Sequence, residues 1–303
     1  MTKDELDQKI TEHKLEHHRE AIEAGIRPCI RLYLAKADED EMPLGASKMG
    51  GRPDLPPSFP WPFETRRPAH DRDKRFNPDG ETKPLLPLSF VAQIKLSDVA
   101  PLDDEAILPA TGILYFFYSA EQEVWGFDPR DHSGFKVQYY DGDETLTRTE
   151  FPADLPELAR FRPCGINAVK EINIPSSASD RVDFLTLDPH DVSTDWDAYN
   201  ELQDEWPVNK MFGYADLIQG EQELECELAT NGIYVGDGTG YKDPRRESLE
   251  SNIANWRLLL QVDSNEEDCN MMWGDLGRIY FWIRKDDLIH KRFDKSWLIL
   301  QCS

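Results

Sequence analysis

Short apolar runs, separated by polar and turn-forming segments, recur along most of the chain. The runs are rich in β-branched and aromatic residues and are bounded by turn residues, which predicts strands rather than helices. Because they are apolar almost without interruption, we expect both faces of these strands to be covered. The runs are SFVAQIKL (89–96), GILYFFY (112–118), RLLLQV (257–262), RIYFWI (278–283) and WLILQC (297–302).

Three other segments have the apolar spacing of amphipathic helices. Residues 2–24 predict an N-terminal helix that begins with Thr2 and Glu5 in capping-box spacing. Residues 195–206 and 246–256 place large apolar side chains three or four positions apart, which predicts two further helices. Strands with a few helices among them predict an α+β fold with mixed or antiparallel sheets.

Four blocks of sequence recur at a nearly constant spacing. Their offsets are 162, 168, 165 and 162 residues, which predicts two copies of one α+β unit. The matched blocks are 48–55 with 210–217, Gln93 with Gln261, Tyr115 with Tyr280, and 135–138 with 297–300.

This duplication predicts how the chain is divided. We expect an N-terminal helix over residues 1–26, a first repeat over 27–165 and a second repeat over 166–303. Neither repeat is expected to complete a hydrophobic core alone. We therefore expect the two repeats to pack together as one compact unit.

Composition and charge exclude several classes of protein. A hydrophobic fraction of 39 % with 8 Trp indicates a folded chain, although the net charge is −24. That charge opposes binding to nucleic acid or to an anionic membrane. Because no membrane span or signal peptide is found, we expect a cytoplasmic protein. The 5 Cys include no C-x-x-C pair, so neither a disulfide framework nor a cysteine-based zinc site is expected.

The negative charge is concentrated in the middle of the chain. Residues 101–250 contain 32 acidic and 11 basic residues and so carry −21 of the net −24. An acidic surface attracts basic partners and speeds their association. The first hypothesis is therefore a non-enzymatic module that presents an acidic surface to a basic protein partner. The glutamates chosen for that surface are Glu221, Glu223, Glu225 and Glu227.

Motifs for known chemistry are weak. Residues 13–17 have the H-x-x-E-H spacing of inverted zinc peptidases, but no third ligand is identified, and we interpret them as a charged helix face. Residues 236–240 lack the spacing of a dinucleotide-binding loop, and residues 263–268 lack the Gly and Glu of a calcium loop. A Cys269–His290 pair stays open, since catalytic partners meet in space. No catalytic residue, metal or cofactor is predicted.

Polar residues at equivalent places in the two repeats are the other candidates. A glutamine within an apolar strand needs hydrogen-bond partners, because a buried unpaired amide costs about 1–3 kcal/mol. Either each glutamine satisfies backbone groups of the other repeat and each lysine pairs with a nearby aspartate, or these groups converge on a cleft between the repeats. The second hypothesis is therefore an enzyme or small-ligand receptor. Its cleft would be lined by Lys48, Gln93, Lys210, Gln261, Asp263, Trp273 and Asp275.

Several motifs together resemble the YwqG-like family of domains of unknown function, over residues 44–302. The resemblance implies an α+β protein of two similar halves, carries over no catalytic residue, and points to an immunity-like role in binding a partner. Phe212 departs from the pattern, because the first repeat has two consecutive glycines, Gly50 and Gly51, where the second repeat has Phe212 and Gly213. The motifs are SKMGGRPDLP (47–56), LPATGILYFFY (108–118), WRLLLQVDS (256–264) and MMWGDLGRIYFWI (271–283).

Overall fold

A large antiparallel sheet dominates the fold. The computed structural model describes residues 1–65, 85–185, 194–204 and 206–303. Within these ranges, ten strands form the large sheet and two short strands form a separate ribbon. The strands are β1 (Arg27–Lys36), β2 (Lys48–Met49), β3 (Asp54–Leu55), β4 (Ser89–Lys95), β5 (Ile113–Tyr118), β6 (Phe135–Tyr140), β7 (Thr147–Arg148), β8 (Cys164–Asn173), β9 (Lys210–Met211), β10 (Trp256–Asp263), β11 (Arg278–Arg284) and β12 (Trp297–Gln301).

The helices are short and connect or precede the strands. Among the described residues, no helix is long and apolar enough to cross a membrane. The α-helices are α1 (Lys3–Glu12), α2 (Arg19–Ala24), α3 (Leu96–Val99), α4 (Thr194–Asn200), α5 (Glu223–Thr230), α6 (Arg246–Glu250), α7 (Glu266–Cys269) and α8 (Lys285–Ile289). The 3-10 turns are Glu16–His18, Glu39–Glu41, Ala100–Leu102, Pro129–Ser133, Glu157–Ala159, Asp180–Val182, Gly240–Lys242, Ile253–Asn255 and Phe293–Lys295.

The two longest strands pair with each other in the middle of the sheet. The strand order is β12-β11-β10-β9-β1-β8-β2-β4-β5-β6, and β1 pairs with β8 along its full length. We call residues 27–163 the first half and residues 164–303 the second half, so that each half begins with its long strand. The outer neighbour of β1 is β9 of the second half, and the outer neighbour of β8 is β2 of the first half. Each long strand is therefore inserted beside strands of the other half.

Burial of both faces explains why the predicted strands are almost wholly apolar. In β5, Phe116 packs against Phe281 of β11 with a ring-centroid distance of 5.0 Å, within the main core. Its neighbours Tyr115 and Phe117 point to the opposite face and belong to a second cluster. Phe135 of β6 also meets Trp297 of β12, at 5.6 Å. The sheet therefore curves until its two outer flanks pack against each other.

The five strand predictions are confirmed by β4, β5, β10, β11 and β12. Helices combined with a largely antiparallel sheet also agree with the predicted class of fold. The boundary that the sequence placed between residues 165 and 166 falls inside β8. All five cysteines are buried and unbridged.

The prediction of one N-terminal helix over residues 2–24 is wrong. The predicted capping box is present, since the Thr2 hydroxyl accepts a hydrogen bond from the Glu5 amide at 3.2 Å. However, α1 ends at Glu12, and Lys14 then adopts a φ of +60°. This left-handed residue breaks the helix. The chain continues through the 3-10 turn 16–18 into α2, and Leu15 is buried beside the break.

The other two predicted helices are shorter than expected. Of residues 195–206, only the part within α4 is helical, and Trp206 lies outside it with 46 % of its surface exposed. The segment 246–256 divides into α6 and a 3-10 turn, and Trp256 begins β10. Tertiary contacts override the apolar spacing in both cases, because each tryptophan donates its indole N–H to a carboxylate elsewhere in the chain.

Candidate functional site

The first set of predicted polar residues forms a buried ion-pair network in the first half. Lys48 on β2 lies opposite Gln93 on β4, and both side chains are fully buried with Asp54. The Gln93 amide donates to the Asp54 carboxylate and to the Ala46 carbonyl, at 2.8 and 2.7 Å, and its oxygen accepts from the Asp54 N–H at 2.8 Å. Arg148 donates to the same carboxylate at 2.9 Å. Burial lowers the pKa of Lys48, although Asp54 and other carboxylates oppose that effect.

The second half repeats this arrangement. Gln261 donates to the Asp216 carboxylate and to the Val208 carbonyl, at 2.6 and 2.8 Å, and accepts from the Asp216 N–H at 2.9 Å. Lys210 lies 2.8 Å from the same carboxylate. Burial would raise the pKa of Asp216, but the charges of Lys210 and Arg278 outweigh it and hold that pKa below its ordinary value.

Asp263 extends the second network. Its carboxylate accepts hydrogen bonds from the Trp206 indole at 2.7 Å and from Arg278 at 3.0 Å. Burial raises the pKa of Asp263, against the effect of Arg278. The indole of buried Trp273 donates to the Asp263 backbone carbonyl at 3.1 Å. Asp275 is exposed, unlike Asp263 and Trp273, which are buried.

The structure keeps the two networks separate. In the backbone register of the sheet, Lys48 lies opposite Gly165 of β8, whereas Lys210 lies opposite Arg31 of β1. The two lysines are three strands apart. They are also offset by four residues along the strands, because Arg31 lies opposite Val169 rather than Gly165. These spacings put the two lysine backbones roughly 20 Å apart. The partners of each glutamine lie in its own half rather than in the other one. Each network therefore pairs its buried lysine with a carboxylate of its own half.

The first two predicted surface glutamates share one arginine. Glu221 and Glu223 pair with Arg181 at 2.7 and 3.0 Å, and both are half-buried. Burial raises the pKa of Glu223 although Arg181 opposes that effect. Arg181 therefore compensates much of their charge before any partner approaches.

The other two predicted surface glutamates also have partners within the chain. Glu225 accepts from the Tyr241 hydroxyl at 2.8 Å, and burial raises the pKa of Glu225 to about 7. Glu227 is only 2 % exposed and accepts from Arg284 at 2.7 Å and from the Trp256 indole at 3.0 Å. Both carboxylates are therefore engaged by partners within the chain rather than presented as an exposed acidic face.

A cleft of about 430 Å³ lies elsewhere, where segments of both halves meet. Its volume falls within the usual range of small-molecule sites. Among the described residues, its lining includes none of the seven residues that the sequence proposed for a cleft. The lining comes from the start of β1, the segment 102–105, Arg181, the turn Phe212–Gly213, Glu223 and the segment 253–257.

Most of the charges in the cleft are already paired. Arg257 pairs with Glu105 at 3.1 Å, and Arg181 pairs with Glu223 as described above. The guanidinium of exposed Arg27 instead stacks on the Tyr214 ring at 4.2 Å. Arg27 forms no ion pair with any part of the chain that the structure describes. Its positive charge is therefore available at the cleft.

The turn at Phe212 is backbone-strained. Phe212 and Gly213 have φ values of +61° and +68°, which match the +64° and +70° of Gly50 and Gly51 in the first half. A Cβ on Gly50 would lie 2.1 Å from the Arg162 carbonyl oxygen, so only glycine fits there. Phe212 has the same left-handed backbone with a side chain, at a cost of about 1–2 kcal/mol. The sequence marked Phe212 only as a departure from the repeat, and that departure was the signal for the cleft.

The fold and the cleft together define a mixed α/β protein that is built on one antiparallel sheet, with a concave site where its halves meet. The chain belongs to a family described as a domain of unknown function, DUF1963, whose model matches residues 47–302. No curated protein matches the chain. The α-helices α1 and α2 and the central strand β1 precede the matched region.

Proposed function

We propose that this chain is a binding protein, and that the cleft beside Arg27 and Phe212 takes a small anionic molecule with an apolar or aromatic body. The observation that carries the proposal is the strained Phe212 backbone at the cleft wall. Non-glycine residues in the left-handed region persist where surrounding structure imposes them, and such residues cluster at ligand-binding sites.

The charge distribution supports an anionic ligand. Arg181 and Arg257 are paired with Glu223 and Glu105. Of the two other carboxylates in the lining, Asp104 is paired with Lys170, and Asp103 accepts hydrogen bonds from backbone N–H groups. Among the described residues of the lining, Arg27 is thus a cation without an ion-pair partner. Buried Trp256 and Phe212 supply apolar surface in the same cleft. A site that combines apolar walls with a few polar groups of fixed position is typical of small-molecule receptors.

Binding fits the cleft better than covalent catalysis through its cysteine. Cys29 lines the cleft, and burial raises the pKa of its thiol to about 11. A thiol is a nucleophile only as the thiolate, so Cys29 would be almost entirely protonated and inert at neutral pH.

The first experiment compares three probes that differ in charge. Benzoate and phenyl phosphate are anions with an aromatic ring, and benzyl alcohol is neutral. We expect at least one anion to bind at one site by isothermal titration calorimetry. We expect Arg27→Gln to weaken that binding about tenfold or more, because a hydrogen bond to a charged group contributes about 1.5–3 kcal/mol.

Arg245→Gln is the matched control, because Arg245 is an exposed arginine that pairs with Asp243 outside the cleft. That variant should bind the anion as the unmodified protein does. Circular dichroism checks that both variants are folded. The proposal fails if neither anion binds, or if Arg27→Gln and Arg245→Gln bind equally well.

We further propose that the two halves are copies of one YwqG-like unit. The support is the equivalent pairing of Lys48 with Gln93 and Asp54 and of Lys210 with Gln261 and Asp216. The strand order is also symmetric about β1 and β8, which are the first strands of the two halves.

An acidic surface for a basic cytoplasmic partner is the second candidate function. Its support is the net charge of −24, together with exposed carboxylates outside the paired segment 221–227, such as Asp143, Asp154 and Glu157. Pull-down from cell extract at low and high salt tests it, because exposed charges are screened by salt. Replacing these three residues by Asn or Gln should abolish capture of the partner, and unchanged capture would contradict this candidate.

A further inference from the structure

Two adjacent histidines and a distant aspartate come together near the N-terminus. His17 and His18 lie on the 3-10 turn that follows α1, and Asp195 lies on α4. Asp195 Oδ2 is 2.9 Å from His17 Nε2 and 3.3 Å from His18 Nε2. The H-x-x-E-H spacing of the sequence associated His17 with His13, whereas the structure places it with His18 and with a residue far along the chain.

The three side chains offer the donor atoms of a transition-metal site. Two imidazole nitrogens and one carboxylate oxygen are common zinc ligands, and all three atoms lie within 4.8 Å of one another. In a tetrahedral zinc site, ligand bonds of about 2.0–2.2 Å put neighbouring donor atoms roughly 3.3 Å apart. The two separations from Asp195, 2.9 and 3.3 Å, are close to that value. The two histidine nitrogens lie within 4.8 Å of each other, so side-chain movement alone can bring all three donor atoms to an ion.

The ligand segments are held in place by the core beneath them. His18 is only 18 % exposed at its side chain and packs against the Phe184 ring at 5.4 Å. On either side, Leu15 and Tyr199 are fully buried in the same apolar cluster. This packing limits the freedom of the histidine backbone and of α4, which reduces the ordering cost of binding a metal.

The charge around the cluster favours a cation. Glu16, Glu20 and Asp197 are exposed carboxylates next to the ligands in sequence, and the whole chain has a net charge of −24. Basic Arg19 is also near in sequence, but it pairs with Asp7 at 2.6 Å and with Glu23 at 3.4 Å.

We propose that His17, His18 and Asp195 bind one divalent transition-metal ion, Zn²⁺ in the first instance, with a water molecule in the fourth position. The ion would link the N-terminal segment to α4. Neutral imidazole and carboxylate are the forms that bind metal, so protons compete with the ion for these atoms. This site shares no residue with the proposed ligand cleft, so the two proposals can fail independently.

The test uses the full chain after removal of metal by EDTA and dialysis. Zn²⁺ binding is measured by calorimetry, and Co²⁺ serves as a spectroscopic substitute because tetrahedral Co²⁺ absorbs strongly in the visible range. We expect one ion for each chain, with weaker binding in acid because protons compete with Zn²⁺ for the imidazole nitrogens. Mg²⁺ should not compete, since it prefers oxygen ligands in octahedral geometry.

His17→Ala, His18→Ala and Asp195→Asn should each weaken Zn²⁺ binding at least tenfold. His13→Ala is the matched control, because His13 follows α1 on the same segment but is outside the cluster. Thermal unfolding of each metal-free variant checks the fold, and only the unmodified protein and His13→Ala should gain stability from Zn²⁺. The proposal is overturned if the unmodified protein binds no Zn²⁺, or if the three variants bind it as tightly as His13→Ala.

Discussion

Replacing Gln261 by leucine separates a structural role from a ligand-binding role. Gln261 is fully buried and makes three hydrogen bonds, to the Asp216 carboxylate, the Asp216 N–H and the Val208 carbonyl. If the residue served a ligand, Gln261→Leu would remove binding and leave the fold intact. If it serves the fold, the loss appears in the free energy of unfolding.

The size of that loss follows from the partners left behind. In Gln261→Leu, the Asp216 N–H and the Val208 carbonyl lose their hydrogen bonds to the Gln261 side chain. Each buried group left without a partner lowers stability by about 1–3 kcal/mol. The Asp216 carboxylate still has Lys210 at 2.8 Å, so its additional cost is small. We therefore expect Gln261→Leu to lower the free energy of unfolding by about 2–6 kcal/mol.

Two further variants make the measurement specific. Gln93→Leu removes the equivalent three hydrogen bonds in the first half and should cost a similar amount. Exposed Gln219 is the control, and Gln219→Leu should change stability by less than about 0.5 kcal/mol. Urea unfolding followed by tryptophan fluorescence measures all three. A loss below about 1 kcal/mol for Gln261→Leu would refute the reasoning.

Three other outcomes follow from buried groups. Glu227→Ala leaves Arg284 and the Trp256 indole without their carboxylate and should cost about 3–5 kcal/mol in urea unfolding, whereas exposed Glu247→Ala should cost less than about 0.5 kcal/mol. Burial raises the pKa of Glu225 to about 7 in the folded chain, above the ordinary glutamate value of 4.5, so folding takes up a proton between these pH values. Stability should therefore fall as pH rises from about 4.5 through about 7, and a pH series on Glu225→Gln should lack this part of the decrease. Because all five cysteines are buried, Ellman's reagent should react rapidly with them only after unfolding, and fast reaction of the native protein would contradict the burial.

The strands that the sequence predicted have a local apolar pattern, whereas the strands that it did not predict depend on long-range pairing. The apolar runs of β4, β5 and β10 to β12 are buried on both faces, so composition alone marks them. By contrast, most positions of β8 are half-buried or exposed without a regular pattern, and its partner β1 lies more than a hundred residues away in the chain. Nothing local in either strand indicates that they pair.

The glutamates illustrate how a pattern depends on the element that carries it. Alternate residues lie on one face only in an extended chain, whereas residues four apart share a face in a helix. Within α5, Glu223 and Glu227 are four apart, and they contact Arg181 and Arg284. The concentration of acidic residues could be read from the sequence, whereas their pairing with Arg181 and Arg284, which lie more than forty residues away, could not.

The candidate cleft could not be predicted from the sequence for a related reason. Its lining comes from segments between positions 27 and 257 that are brought together only by the completed sheet. No motif joins Arg27 to Trp256, and only the replacement of a repeated glycine by Phe212 pointed there. The polar pairs Lys48–Gln93 and Lys210–Gln261 were recognised as important, but only the structure shows that their partners are local.

The insertion of β1 between β8 and β9 has a consequence for synthesis of the protein. While the ribosome makes the first half, β1 has neither of its neighbours, because β8 and β9 are translated more than a hundred residues later. In the nascent chain, the ten residues of β1 therefore have unpaired backbone N–H and C=O groups on both edges. Unpaired strand edges are prone to pair with other chains. The centre of the sheet can therefore form only after β8 and β9 have been translated, and β1 is exposed to aggregation during that interval.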